Sequence, residues 1–248
     1  ILQIGLRLED DDFGALESKQ YEAKISRVRH VEGWIRTSYL RFMREQWQLN
    51  GETFDANYWL PGFTWSRTTK SGSALDPSNG FSQMYMIEGT DPAIGSDIRV
   101  AHLSSKFKYV NRFAYNHRFV GKAQFGISQV ASDERALLAP SLRFFAGGDQ
   151  SIRGFAYQSL GPFEERIDDN GKAFKAVLGG SRIASVSAEY QYYFNDSWRM
   201  PLFFDIGQAF DKGDIEPVYS IGTGIHFMSP IGAIRLEVAY GISEDNPP

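Results

Sequence analysis

The chain has 248 residues, a formal charge of −4, 42% hydrophobic and 15% aromatic residues, 24 Gly and no Cys. That length holds one large domain or two small ones, the mild charge argues for neither a nucleic-acid nor a polyanion-binding surface, and the lack of thiols excludes disulfide frameworks and thiolate metal sites. No window approaches 18 uncharged apolar residues, so no transmembrane helix is expected.

Almost every stretch reads at period two, the spacing of a strand with two distinct faces. Ile1 opens directly in such a pattern, with no positive leader or cleavage site, and the chain is expected to be the middle of a longer protein. Leu2, Ile4, Leu6 and Leu8 alternate with Gln3, Gly5, Arg7 and Glu9, and Asp10-Asp11-Asp12 reads as an acidic turn. Residues 16–30 place Tyr21, Ala23 and Ile25 opposite Glu22, Lys24 and Ser26. Residues 33–49 and 53–69 are aromatic-rich, with phase slips near Arg41 and Gly62 that predict bulges. Ser71 to Asn79 reads as a loop, 81–90 as a strand, Pro92 to Ser96 as a turn, and 98–113 and 117–130 as strands.

About fifty residues (roughly 132 to 182) then hold no sustained period, and a loop that long is functional or disordered. Disorder fits poorly with Phe144-Phe145-Ala146-Gly147-Gly148-Asp149-Gln150-Ser151-Ile152-Arg153-Gly154-Phe155, which packs three Phe and an Ile around paired glycines. Gly147 and Gly148 let the backbone turn at positive φ, and Arg153-Gly154-Phe155 makes a charged tip with an aromatic wedge behind it.

The runs after the loop alternate most cleanly. Val186, Ala188, Tyr190, Tyr192 and Phe194 face away from Ser185, Ser187, Glu189, Gln191 and Tyr193. Leu202, Phe204 and Ile206 oppose Phe203, Asp205 and Gly207; Tyr219, Ile221, Thr223, Ile225 and Phe227 oppose Ser220, Gly222, Gly224 and His226; Ile234, Leu236, Val238, Tyr240 and Ile242 oppose Arg235, Glu237, Ala239 and Gly241. Apolar-out, polar-in alternation over about eleven long strands, with aromatics at strand ends, is the pattern of a transmembrane antiparallel β-barrel. Eleven strands in an open sheet leave two edges that lipid does not tolerate, so either further strands or another chain is expected to complete the wall.

This pattern puts Glu189 and Asp205 in the lumen, together with Arg235 and Glu237, and puts Tyr190, Tyr192, Ile221, Ile225, Leu236 and Val238 against lipid. If the long loop folds into the lumen, Arg153 can meet both Glu189 and Asp205, because a guanidinium offers five donors in one plane. Spacing alone leaves the two carboxylates readable as ordinary solvated lumen residues.

The run Arg143 to Phe155, followed by Ser159-Leu160-Gly161-Pro162, resembles the sixth extracellular loop of the outer-membrane assembly (BamA/TamA/FhaC) superfamily. Phe203-Phe204-Asp205-Ile206-Gly207 resembles that family's Phe-x-Asp-x-Gly strand motif, Ser187-Ala188-Glu189-Tyr190 the strand before it, and Met228-Ser229-Pro230-Ile231-Gly232-Ala233-Ile234 the entry to its penultimate strand. With Ala146 before the paired glycines and Ser151-Ile152 before the Arg, the loop looks more like the TamA branch than the BamA or FhaC branch. The resemblance implies a 16-stranded barrel of which residues 1–248 supply about eleven strands, the first strands, the closing strand and the periplasmic POTRA domains lying outside the chain. It further implies that Arg153, Gly154 and Phe155 tuck into the lumen, with Arg153 paired to Asp205 and Glu189 beside Phe203 and Gly207. The implied partners are unfolded outer-membrane protein or autotransporter clients, outer-membrane lipid and a TamB-like periplasm-spanning partner, with no cofactor.

No Gly-x-Ser-x-Gly occurs, Gly80-Phe81-Ser82-Gln83-Met84 being the nearest approach, and His30, His102, His117 and His226 show no metal-ligand spacing. Asp168-Asp169-Asn170-Gly171 lacks the later Glu of a calcium loop and reads as a Gly turn, while Arg143, Arg153 and Lys172 are too scattered for an anionic-lipid patch. The expected activity is therefore not enzymatic. Assembly and translocation of β-rich clients at a weakly paired strand edge leads, ahead of a passive pore or receptor and of a surface antigen.

Overall fold

The computed structural model describes residues 1–13, 16–49, 51–73, 75–167, 173–213, 215–229 and 231–242. Seven strands come first: β1 (Leu2–Phe13), β2 (Leu16–Val31), β3 (Trp34–Leu49), β4 (Glu52–Gly72), β5 (Pro77–Thr90), β6 (Val100–Ala114) and β7 (His117–Val130). Short β8 (Phe163–Ile167) and β9 (Ala173–Val177) follow, then β10 (Arg182–Tyr193), β11 (Trp198–Phe210), β12 (Val218–Ser229) and β13 (Gly232–Ile242). Eleven of them form one antiparallel sheet in the order β1-β2-β3-β4-β5-β6-β7-β10-β11-β12-β13. β1 and β13 are its free edges, so the wall is open, as expected.

The longest connections all leave one rim of the sheet. One rim carries turns such as Glu32–Gly33, both at positive φ, which fits the two-residue hairpin turn that matches strand twist. The other carries the 91–99 turn and the long 131–181 connection. Outer-membrane barrels place short turns on the periplasmic side and long loops outside, which orients the sheet.

The two faces divide as the alternation predicts. Leu236 and Val238 are 70% and 74% exposed on the convex side, where Tyr190, Ile221 and Ile225 also lie, whereas Asp205 is fully buried on the concave side. Rings gather along the periplasmic rim: His117 meets Tyr192, Tyr192 meets Phe194 edge-on, and Trp198 lies 4.8 Å from Phe227. Such amphipathic rings suit the boundary between lipid and water.

Four sequence expectations change. Asp10 to Asp12 lie within β1, Asp10 facing Lys19 across the ladder, so they form strand rather than a turn. β4 and β5 extend through Gly72 and from Pro77, shortening the loop read at 71–79. β3 and β4 pair without interruption from Ile35↔Ser66 to Leu49↔Glu52, so neither Arg41 nor Gly62 marks a bulge. The apparent slips come from lumen-facing apolar residues: Met43 and Trp47 point inward and are buried under the loop, and Gly62 leaves space that the Tyr39 ring fills. Finally, the long loop contains the β8–β9 hairpin, in register from Phe163↔Val177 to Ile167↔Ala173. The Asp168–Gly171 turn and Lys172 lie outside the described residues.

The main apolar core sits inside the barrel. Met43, Trp47, Ala56, Tyr58, Leu60, Ile98 and Val100 of the wall and the 91–99 turn enclose Leu138, Ala139 and Leu142 of the loop. A second cluster joins Phe144, Ala146, Ile152 and Leu160 of the loop to Ile183 and Ala209 of the wall. The loop thus supplies the apolar filling that an empty lumen lacks.

Candidate functional site

The site forms where the loop turns deepest into the lumen. Gly147 (φ 101°) and Gly148 (φ 92°) adopt the left-handed backbone that only glycine takes readily, which reverses the chain. The turn is closed by Gly148 N donating to Phe155 O (3.1 Å) and by Ser151, whose Oγ accepts from Gly147 N and donates to Gly147 O. Ile152, fully buried in the apolar cluster, fixes the direction in which the next side chain points.

That side chain is Arg153, and each of its side-chain nitrogens is engaged. Nε donates to Asp205 Oδ2 (2.8 Å) and Nη2 to Asp205 Oδ1 (2.9 Å), a bidentate pair reinforced by the Arg153 backbone N on Oδ2 (3.1 Å). Nη1 reaches Glu189 Oε2 (2.8 Å) and Glu237 Oε2 (3.3 Å), and Nη2 also reaches Ser187 Oγ (3.0 Å). The guanidinium carbon lies 3.4 Å from the centre of the Phe203 ring, a cation–π stack. Arg153, Asp205 and Glu189 are all buried, so these charge-assisted bonds act with little water to compete.

The neighbouring glycines explain how the tip comes so close. A Cβ on Gly154 (φ 88°) would stand 2.8 Å from Gly241 N of β13, and one on Gly241 would stand 2.7 Å from the Phe155 ring. Phe203 lies across Gly222 in the same manner, and Gly207 passes tightly over Ser185. Arg153, Gly154, Phe155, Asp205, Glu189 and Phe203 are thus brought together, with Gly147 and Gly148 making the turn above them. Gly207 spaces β11 from β10 rather than touching Arg153.

Glu237 and Ser187 enter the site although neither was singled out as a partner of Arg153. Both lie on lumen faces by alternation; what the sequence lacks is the stagger that aligns β13 with β11 across β12. Glu237 continues into a polar chain. Its Oε1 lies 2.7 Å from His226 Nε2, and His226 Nδ1 lies 3.2 Å from Arg199 Nε. Arg can only donate, so Nδ1 accepts and Nε2 carries the proton given to Glu237. Arg199 Nη1 in turn holds Asp76 (2.6 Å), which also pairs with Arg118 and accepts from Tyr193 Oη (2.8 Å). The turn after β4 is thereby tied to β7, β10 and β11.

Glu189, His226 and Glu237 bring ligand atoms within 4.8 Å of one another, a cluster that sequence spacing does not show. Arg153 Nη1 already bridges the two carboxylates and Arg199 occupies His226 Nδ1, so the cluster is filled by cationic side chains.

Further fastenings hold the root of the loop. Tyr58 Oη accepts from Ala139 N (3.0 Å) and donates to Leu137 O, while Glu45 accepts from Ser18 Oγ (2.7 Å) and Ser141 N (3.2 Å). Ser128 Oγ donates to Leu142 O (2.6 Å), which leaves His102 Nδ1 to donate to Ser128 Oγ (2.7 Å), and the His102 ring stacks on Phe144. Arg143 caps the carbonyls of Leu138 and Leu178 and faces no lipid.

The Omp85 superfamily domain matches residues 3–247. The outer membrane protein assembly factor BamA of Nitratidesulfovibrio vulgaris is 29% identical over 159 residues, an alignment covering 61% of this chain and 19% of that protein. Among solved structures, BamA from Haemophilus ducreyi lacking POTRA domains 1-3 superposes with a TM-score of 0.81 at 18% identity, over 98% of this chain and 56% of that one. CdiB from Acinetobacter baumannii gives 0.56 at 14% identity, over 92% of this chain and 39% of that one. The chain therefore spans about a fifth of that Nitratidesulfovibrio protein and about half of that Haemophilus structure.

Proposed function

The chain belongs to the Omp85 superfamily, integral outer-membrane β-barrel proteins of Gram-negative bacteria that serve assembly or secretion, and from that premise we propose that it forms the wall and the locked loop of a barrel that inserts or secretes β-rich client proteins. Autotransporters are among the clients this reading favours. The observation that carries it is the bonding of Arg153 to β10, β11 and β13 at once. One loop residue thus clamps three strands of the wall together from the lumen side. A client strand can add to an exposed edge by β-augmentation, provided the strands behind the edge keep their register.

Within the superfamily we read the protein as TamA-like, on the run Arg143 to Gly154 with Ala146 and Ser151-Ile152, with a TamB-like periplasm-spanning partner. A BamA-type insertase is the second reading, favoured by the 29% identity to the Nitratidesulfovibrio protein. Co-purification from membranes separates them: the first expects a large inner-membrane-anchored partner, and its absence favours the second.

A passive pore or receptor needs a plug but has no use for one loop residue that ties three wall strands together. Replacing Arg153 with Ala in the full protein tests the difference. The assembly reading expects slower client assembly and a loop open to protease at 132–182, with the wall intact. Unchanged assembly alongside raised ion conductance would favour the pore.

A further inference from the structure

A second group of lumen charges takes no part in the clamp. Lys106 and Lys108 on β6, Lys122 on β7 and Arg235 on β13 line a cavity of about 590 Å³ below the loop tip, with Asp149 and Glu237 at its margins. That volume corresponds to about twenty waters. Elsewhere in the lumen Arg41 lies between Glu22 and Glu88, and Arg118 and Arg199 share Asp76. Among the described residues, Lys106, Lys108, Lys122 and Arg235 make no such pair.

The register sharpens the point. Lys108 and Lys122 are directly opposed in the β6–β7 ladder, and both point into the lumen. Like charges so placed have Cβ atoms about 5 Å apart and destabilise a sheet. An anion between them removes that repulsion. Lys106 and Lys108 sit two residues apart on one face, about 7 Å along the strand, the same repeat as alternate side chains of any extended chain.

We propose that this cavity binds an extended polypeptide segment carrying carboxylates at alternate positions. The proposal rests on the reading of the protein as a handler of unfolded polypeptide. The strand-like spacing of the lysines and the size of the cavity favour a peptide over a single phosphate group. Ammonium groups on flexible stems suit the task, since they follow a moving chain without fixing one geometry.

The test uses the full protein in detergent and a labelled peptide of alternating Glu and Thr, with binding followed by fluorescence anisotropy. The Glu peptide should bind, weaken as salt is raised, and bind at least about tenfold more tightly than its Gln counterpart. The double variant Lys108→Gln/Lys122→Gln should lose at least about tenfold in affinity, and because it relieves a repulsion it should fold normally; Lys106→Gln provides an independent, smaller loss. Equal binding of the Glu and Gln peptides, or an unaltered double variant, would overturn the proposal. So would displacement of the peptide by inorganic tripolyphosphate at far lower concentration than by unlabelled peptide, which would mark a phosphate site. If client assembly proceeds in a preparation that binds no acidic peptide, this inference fails and the proposed function stands; binding without client assembly gives the reverse.

Discussion

At the scale of single residues, the chemistry of Arg153 explains why that position is an arginine. Three carboxylates and a hydroxyl surround it, in a plane set by the Phe203 ring. Removing one partner from a buried charged set costs about 3–5 kcal/mol, because the remaining charges are left unpaired. Arg153→Ala should therefore weaken loop docking by about that amount, measured as the rate of protease cleavage within 132–182 under conditions where opening precedes cleavage. Arg153→Lys should recover only part of it, since a compact ammonium cannot span Asp205 and Glu189 together. Gly154→Ala should cost about 1–3 kcal/mol of docking by the same assay: it combines a left-handed backbone with a clash against Gly241. Docking as firm as the parent's would show that the tip does not rest on β13. The pairing of Arg153 with Asp205 and Glu189 could be anticipated because period two puts both acids in the lumen and glycines flank the Arg. Glu237 could be placed on the right face but not beside Arg153, because the stagger between strands is a property of the assembled sheet.

At the scale of elements, the long loop and the turn after β4 both reach from the wall into the lumen. The loop is fastened at its root and at its tip by unrelated contacts, so the two should fail separately. Tyr58→Phe leaves Ala139 N and Leu137 O without their partner, at a cost of about 1–3 kcal/mol. Cleavage should then appear first near 137–142 while the Arg153 tip stays protected; simultaneous loss of both would mean that the loop moves as one body. The turn after β4 depends on Asp76. Burial pushes its carboxyl up, but Arg199 and Arg118 outweigh this and hold it below the usual carboxylate range. A depressed folded pKa gives a contribution that is complete above the unfolded value near 4 and is lost as pH falls through the folded one. The turn should accordingly be protected from hydrogen exchange at neutral pH and become labile only in acid, whereas Asp76→Asn should be labile throughout. The strands of the wall were legible from alternation alone. The β8–β9 hairpin was not, since two five-residue strands carry too little period to stand out, and the slips at Arg41 and Gly62 were misread because a lumen packed by a loop accepts Met43 and Trp47 where an aqueous one takes polar side chains.

At the scale of the whole molecule, the eleven-stranded antiparallel sheet presents lipid on one side and a filled lumen on the other. The lipid face was readable because the membrane demands strict alternation; the filling of the lumen was not, because it joins segments about a hundred residues apart, such as Glu45 and Ser141. Val238→Arg, on the exposed side of β13, should destabilise the folded barrel in bilayers by about 2–4 kcal/mol if it lies near the midplane, while Arg235→Gln on the lumen side should leave stability nearly unchanged. Urea titration in vesicles gives both values, and equal losses would contradict the assignment of faces. In the proposed function the loop works by holding β10, β11 and β13 together from the lumen side, and a double-mutant cycle on the full protein probes this. Arg153→Ala, Asp205→Ala and the double variant are compared for the rate of client assembly into vesicles, with loop protection measured on the same samples. Each single change should slow assembly and expose the loop, and the double variant should be hardly worse than either alone, because both remove one shared interaction. Effects on assembly that simply add, or full assembly with the loop released, would contradict that role of the loop.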